Sequence, residues 1–320
     1  MRRSDGLSSR RVLLAGAAGT TPALLRARWA ASGTAYAAAP PQAADGVDIS
    51  SRQLRQGNTA LIRMRSAGAR DVNATFDGHP IGMMQEREGG PWIGFAAVQR
   101  YAALGQRPLR FTITAPNGQQ TVRSDPADTI EIVDAHYPIY RLTVPPSSMA
   151  LILDPAKVSE EEAFLGRIYG KWTDERSWRG AFLPPVGKVE ITSDFGDRRS
   201  INGGPANYWH EGTDFRVWTG TPIQAAADGV VAFAGPLYVR GNVTVIDHGW
   251  GIMTGYFHQS QIRVAVGQPV QQSDVIGLSG DTGFVTGPHL HFEVRTRNIW
   301  VEPLEWLNWD PFPRPDLASL

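Results

Sequence analysis

The first half of the chain alternates apolar and polar positions in short runs. Residues 60–65 (ALIRMR), 71–76 (DVNATF), 109–115 (LRFTITA) and 140–144 (YRLTV) put every second side chain on one face, which predicts strands with one buried side. Gly78, Gly82, Gly89-Gly90 and Asn117-Gly118 punctuate the runs as turns, and Asn-Gly ahead of residues 119–122 predicts a hairpin. About seven strands over roughly 100 residues predict an immunoglobulin-like β-sandwich across residues 40–150. After Pro145-Pro146 the period changes. Ser159 three residues before Glu162 forms a capping box, and Phe164, Leu165, Ile168, Tyr169 and Trp172 fall at helical spacing, predicting a helix over 159–176 in a linker of residues 151–185. Beyond Pro184-Pro185 the strand pattern returns over 229–234 (GVVAFA), 242–247 (NVTVID), 252–257 (IMTGYF) and 290–295 (LHFEVR). The fold class expected is mainly β: an N-terminal sandwich and a C-terminal β domain over 186–310, joined by a helix, with residues 311–320 a loose, proline-rich tail.

Composition narrows the classes. The 320 residues are 42% hydrophobic and 19% charged, values of a folded chain of about two domains. Cysteine is absent, which excludes disulfides, thiolate metal sites and cysteine nucleophiles. Lys+Arg and Asp+Glu both number 31, so there is no bulk basic footprint for nucleic acid. Charge is uneven, however. Arg2, Arg3, Arg10 and Arg11 precede an apolar run of small residues over 12–25 and an Ala-x-Ala site ending at Ala37 or Ala39. That order predicts a secretory signal peptide over 1–39, and Ser9-Arg10-Arg11-Val12-Leu13-Leu14 resembles a twin-arginine export signal, with the general secretory route as the alternative. The run is short for a membrane span of ~20 residues, so no integral membrane segment is expected after cleavage, and the protein is expected in the periplasm, outside the cell or at the wall. Without residues 1–39 the chain keeps 25 basic and 30 acidic groups, which disfavours a polyanion held by bulk charge.

Candidate chemistry lies in the second part. His210-Glu211-Gly212-Thr213-Asp214 sets a His and an Asp four apart, able to reach one metal where the chain turns at Gly212. His289-Leu290-His291 puts two imidazoles on one face of a strand, an informative spacing in a chain with 7 His. His258 follows the run 252–257. A catalytic zinc takes three protein ligands and a water. His210, Asp214 and one of His289 and His291 supply the three; the other His and His258 remain to move protons and steady an oxyanion. His210-Glu211 opens like the helical H-E-x-x-H motif, but Asp214 and Gly212 argue against it. Asp281-Thr282-Gly283 lacks the second copy an aspartic-protease dyad needs, and no G-x-S-x-G elbow occurs. His248 is expected in a turn or at the surface. Glu293 shares the face of His289 and His291, either as a partner of a metal ligand or in an ion pair elsewhere.

His210-x-x-x-Asp214 followed by Gly287-Pro288-His289-Leu290-His291-Phe292-Glu293-Val294 resembles the lysostaphin/LytM-type zinc endopeptidases. The likeness covers about residues 186–308 and takes in Ser193-Asp194-Phe195-Gly196-Asp197-Arg198, Tyr256-Phe257-His258, Gly280-Asp281-Thr282-Gly283 and Glu302-Pro303-Leu304. It implies an antiparallel β metallopeptidase domain with a groove walled by loops. It implies Zn2+ held by His210, Asp214 and His291, with His258 and His289 catalytic. It also implies hydrolysis of peptide bonds in peptidoglycan stems or cross-links, peptidoglycan peptide being the partner. Gln259 departs from the Leu often found there. The alternative is a latent or non-catalytic wall-binding activator of other hydrolases, since relatives that have lost zinc ligands act so; the five positions here are all filled.

Overall fold

The computed structural model describes residues 46–144, Met149 and residues 154–312. The expected signal peptide over 1–39 lies outside the described residues. Among these residues no helix is long and apolar enough to cross a membrane.

The N-terminal part builds two sheets. One runs in the order Gly46–Ile49, Thr59–Arg65, Trp92–Ala97, Met84–Gln85; the other runs Gln53–Arg55, Thr129–Val133, Gly105–Thr114, Asp71–Phe76, His79–Ile81, with Gln120–Arg123 also on Gly105–Thr114. Neighbours are antiparallel except Gln53–Arg55 and Thr129–Val133, which run parallel. Three of the alternating runs bury as expected: Val72, Ala74 and Phe76 meet Leu109, Phe111, Ile130, Ala60 and Ile62 in one core. The run 140–144 does not: its strand Ile139–Leu142 is largely exposed and lies outside both N-terminal sheets, pairing instead with Arg198–Ile201. Trp92–Ala97 (WIGFAA) shows no alternation because it is buried on both faces. Its second face, with Leu61, Ile93 and Phe95, joins a cluster that includes Trp178, Phe182, Trp306 and Trp309 of the C-terminal part. Phe95 lies 5.4 Å from the Trp306 ring and 6.2 Å from Trp178.

The connecting helix spans Pro155–Tyr169, not 159–176. Asp154 caps it by accepting the Lys157 N–H at 3.2 Å, with Pro155 in the first turn, so Ser159 falls inside the helix. Gly170 ends it and leaves Trp172 beyond. The C-terminal part centres on an antiparallel sheet ordered Ile191–Ser193, Thr213–Phe215, Leu290–Thr296, Ile252–Gln259, Gly241–Gly249, Gly229–Leu237, Pro269–Val270. A small sheet beside it pairs Arg198–Ile201 with Tyr208–Trp209 and, in parallel, with Ile139–Leu142 from the inter-module segment. The expected loose tail is anchored at its start: Phe312 packs on Trp178 and Trp250 at 6.1 and 5.8 Å, under the Arg176 guanidinium.

Candidate metal centre

Three neighbouring strands of the large sheet carry Asp214, His291 and His258, and His210 and His289 lie in the segments that lead into two of them. His210 sits between Tyr208–Trp209 and Thr213–Phe215, its N–H on Asp197 O (2.8 Å) and its carbonyl accepting from Gly196 (2.9 Å). Asp214 and His291 are cross-strand partners in the antiparallel pair Thr213–Phe215 and Leu290–Thr296. Gly212 must be glycine here, because a Cβ would overlap the Phe292 carbonyl and come within 2.9 Å of His291 Nε2. That close approach lets a four-residue spacing return Asp214 to His210.

His210 Nε2, Asp214 Oδ1 and His291 Nδ1 converge. The separations are 3.0 Å for His210–Asp214, 3.0 Å for His210–His291 and 2.9 Å for His291–Asp214. The far side of each ligand candidate is fixed. His210 Nδ1 donates to Asp194 O at 2.7 Å, His291 Nε2 faces Glu293 Oε1 at 3.3 Å, and Arg199 Nη2 donates to Asp214 Oδ2 at 3.2 Å. With those protons committed outward, the inner atoms present three acceptor lone pairs to one point, which only a cation or a shared proton satisfies. A tetrahedral zinc with bonds of about 2.0–2.1 Å needs ligand atoms roughly 3.3 Å apart, so the donor set and its spacing fit zinc. Burial holds His210 below its usual value. Burial also acts to raise Asp214, but His210 and His291 outweigh it and keep the carboxylate well below the usual range. Burial opposes charge on His291 too, yet Asp214 and Glu293 on either side push it up to about 9. The proton those carboxylates attract is the one a metal displaces.

His258 and His289 flank this cluster with ring centroids 4.8 Å apart. His258 Nδ1 donates to Thr282 O and His289 Nδ1 to Gly287 O, both at 2.8 Å, which leaves each Nε2 as the free acceptor. His289 Nε2 is 3.7 Å from Asp214 Oδ1. Burial, then the neighbouring His289 and His291 rings, hold His258 well below its usual value. His258, the residue before the last of its strand, has φ 60°, a left-handed conformation that costs a non-glycine residue about 1–3 kcal/mol. Its N–H on Arg240 O (3.2 Å) and its ring on Thr282 keep it there.

Glu293 does both things its position allowed: Oε1 faces His291 and Oε2 accepts from Arg295 Nε at 2.8 Å. Arg199 was missed, since a second Arg after Arg198 carries no signal of its own. His248 is a correction: it is fully buried, donating from Nδ1 to Asp228 O at 2.7 Å with Nε2 on Thr254 Oγ1 at 2.8 Å. Its flanking Asp247 and Gly249 look like a turn, but the ring points inward against Phe182.

An antiparallel sheet that gathers a His-Asp-His cluster beside two further imidazoles defines the class of metallopeptidase-like β domains. Residues 208–303 match peptidase family M23, so this segment is an M23 peptidase domain within the longer chain. Among curated relatives, peptidoglycan DD-endopeptidase ShyA of Vibrio cholerae is 42% identical over 140 residues, 44% of this chain and 33% of that protein. DD-carboxypeptidase/endopeptidase Mpg of Neisseria meningitidis is 39% identical over 144 residues, 44% of this chain and 32% of that protein. The match thus spans about a third of each of these relatives. A crystal structure from Pseudomonas aeruginosa described as a peptidase M23 superposes with a TM-score of 0.58 at 23% identity, covering 79% of this chain and 93% of that one; it shows the fold, and its coverage extends beyond the family domain.

Proposed function

We propose that the protein is an exported zinc-dependent endopeptidase that hydrolyses peptide bonds in peptidoglycan stems or cross-links. The observation that carries this is the convergence of His210 Nε2, Asp214 Oδ1 and His291 Nδ1 with their opposite sides already bonded. Two matched relatives named for DD-endopeptidase activity on the wall or for DD-carboxypeptidase/endopeptidase activity support the substrate class. That substrate in turn supports a periplasmic or wall location, reached through the signal over residues 1–39. Two antiparallel-rich sheets around one core support reading the N-terminal module as immunoglobulin-like.

In this reading His210, Asp214 and His291 hold the zinc, which when bound supplies Lewis acidity and lowers the pKa of a water to about 7. The chain's own residues do the rest. His258 and His289 are each bonded through Nδ1 to a backbone carbonyl, which turns Nε2 to the task of taking the proton of the attacking water and returning one to the leaving amine. Their protonated forms stabilise the negative charge that develops on the substrate carbonyl oxygen. Asp194 O and Glu293 keep the two ligand imidazoles in the tautomers that face the metal. All five positions carry the residue types that chemistry needs, which favours catalysis over a ligand-free binding module.

The test is mass spectrometry of purified peptidoglycan digested with the mature protein, with and without a chelator. Chelation is expected to stop release of cleaved peptides. His291→Ala and Asp214→Ala lose zinc and activity, whereas His289→Ala keeps zinc and loses turnover. Full turnover by His291→Ala overturns the assignment.

A further inference from the structure

The helix Pro155–Tyr169 lies outside the family match over 208–303, yet it sends one carboxylate into the peptidase module. Glu161 is 5% exposed. Its Oε2 accepts the Val239 N–H at 2.9 Å, and its Oε1 accepts both the Arg240 N–H at 3.3 Å and Arg240 Nη1 at 3.0 Å. Three donors on one buried carboxylate fasten the loop between the strands Gly229–Leu237 and Gly241–Gly249.

That loop leads directly to His258. Arg240 O accepts the His258 N–H. Val239 O accepts from Phe284 N–H at 2.6 Å, and Asn242 N–H donates to Thr282 Oγ1 at 3.0 Å. The loop therefore also holds the segment whose Thr282 carbonyl takes the His258 ring proton. Gly241, at φ +65°, packs so closely on Thr282 that a Cβ would overlap it. Arg240 continues inward, with Nη2 on Glu211 Oε2 at 2.8 Å, beside His210. Both the backbone and the ring of His258 are thus referenced to two residues that Glu161 clamps, and His258 occupies a backbone conformation it would not hold unaided.

We propose that Glu161 is a positioning residue for catalysis, a clamp from the inter-module helix that orders residues 239–241 and through them sets the His258 imidazole. The inference rests on the reading of His258 as a proton carrier. Only a carboxylate suits the position. An amide in its place offers one acceptor oxygen, and its NH2 confronts a backbone N–H or the guanidinium. A displacement of about 1 Å at a proton-transfer group costs about 10²-fold in rate.

The experiment uses the full mature chain loaded with zinc, as wild type, Glu161→Gln, Glu162→Gln and His258→Ala. Glu162 is solvent-exposed on the same helix and serves as the control. Glu161→Gln is expected to lower kcat roughly 10- to 100-fold, to leave KM on a cross-linked muropeptide within about twofold, and to retain zinc. Hydrogen exchange supplies a readout independent of activity: the Val239 and Arg240 amides are protected in the wild type and exchange at least about tenfold faster in Glu161→Gln, while Glu162→Gln changes nothing. A wild-type Val239 amide that exchanges like an open loop overturns the clamp without any variant having to fold. So does Glu161→Gln with kcat within about twofold of wild type, or a kcat loss that tracks loss of zinc or of the folded state. Full turnover by His258→Ala overturns the functional reading beneath the proposal, and the exchange data then still judge the clamp itself.

Discussion

Replacing Glu293 with Gln separates the two duties that its two oxygens perform. The residue has no exposed surface. Oε1 lies 3.3 Å from His291 Nε2 and Oε2 2.8 Å from Arg295 Nε. Glu293→Gln keeps the shape and one acceptor but removes the charge. On the metal side, loss of the group that orients a ligand imidazole costs about 10- to 100-fold in affinity, or about 1.4–2.8 kcal/mol. On the folding side, Arg295 is 2% exposed and loses its carboxylate. Breaking a buried ion pair costs about 3–5 kcal/mol, and the Tyr169 and Trp300 rings at 3.8 and 3.9 Å from the guanidinium hold the loss to the lower end, about 3 kcal/mol. The zinc dissociation constant is measured by competition with a chromophoric chelator at neutral pH, and the stability of the metal-free protein by urea denaturation. A zinc constant within about twofold of wild type, together with a stability loss, would show that Glu293 serves only Arg295. No change in either quantity would refute the reasoning on both sides.

Three further outcomes follow from the geometry. Gly212→Ala forces Cβ against the Phe292 carbonyl and close to His291 Nε2, so stability drops by about 1–3 kcal/mol and zinc affinity falls at least about tenfold; unchanged zinc affinity by the same competition assay contradicts the packing argument. Burial pushes His248 down to about 4, so its stabilising contribution is full above pH 6.5 and is lost as pH falls from 6.5 towards 4, amounting to about 3 kcal/mol; His248→Gln should remove that part of the acid slope in urea midpoints, and an identical slope speaks against it. Burial pushes Glu305 up to about 8 and Glu302 up to about 7, so their contribution is full below pH 4.5 and is lost as pH rises from 4.5 through 7 to 8; Glu305→Gln, which keeps an acceptor for the Thr59 N–H at 2.9 Å, should flatten the stability loss across that window by up to about 1.4 kcal/mol per pH unit, and an unaltered slope between pH 4.5 and 8 would count against it.

The residues that could be read in advance are those whose side chains carry the chemistry at short spacing. His289 and His291 share a strand face by period two, and His210 and Asp214 close on one point across Gly212. Strands with one buried face were legible for the same reason; Asp71–Phe76 has the bounds its alternation implies. Trp92–Ala97 was not, because burial on both faces erases the alternation. The helix start was misplaced because Ser159 and Glu162 mimic a cap that Asp154 and Pro155 provide one turn earlier. The partners that orient His210, His258 and His289 are the carbonyls of Asp194, Thr282 and Gly287, and a backbone carbonyl leaves no mark in a sequence. Nothing in the sequence singles out Glu161 among three adjacent acids, yet it is the one that is buried while Glu160 and Glu162 face solvent.

The candidate metal centre depends on more of the chain than the family match covers. Its outer wall includes Arg198–Ile201, whose Arg199 donates to Asp214 Oδ2 and to Ser193 Oγ at 2.8 Å. That strand is paired in parallel with Ile139–Leu142, with Arg199 opposite Tyr140. Arg100 of the N-terminal module reaches Glu211, next to His210, at 3.4 Å, and Glu161 holds the loop behind His258. A second face of Trp92–Ala97 is buried against Trp178 and Trp306, so separating the modules would expose a large aromatic surface. The helix bearing Glu161 is seated separately, with Leu165, Ile168 and Tyr169 packed on Val243, Val245 and Phe257 of the peptidase module. The ligand cluster is built by residues 210–291, but its alignment is set by segments that precede residue 208.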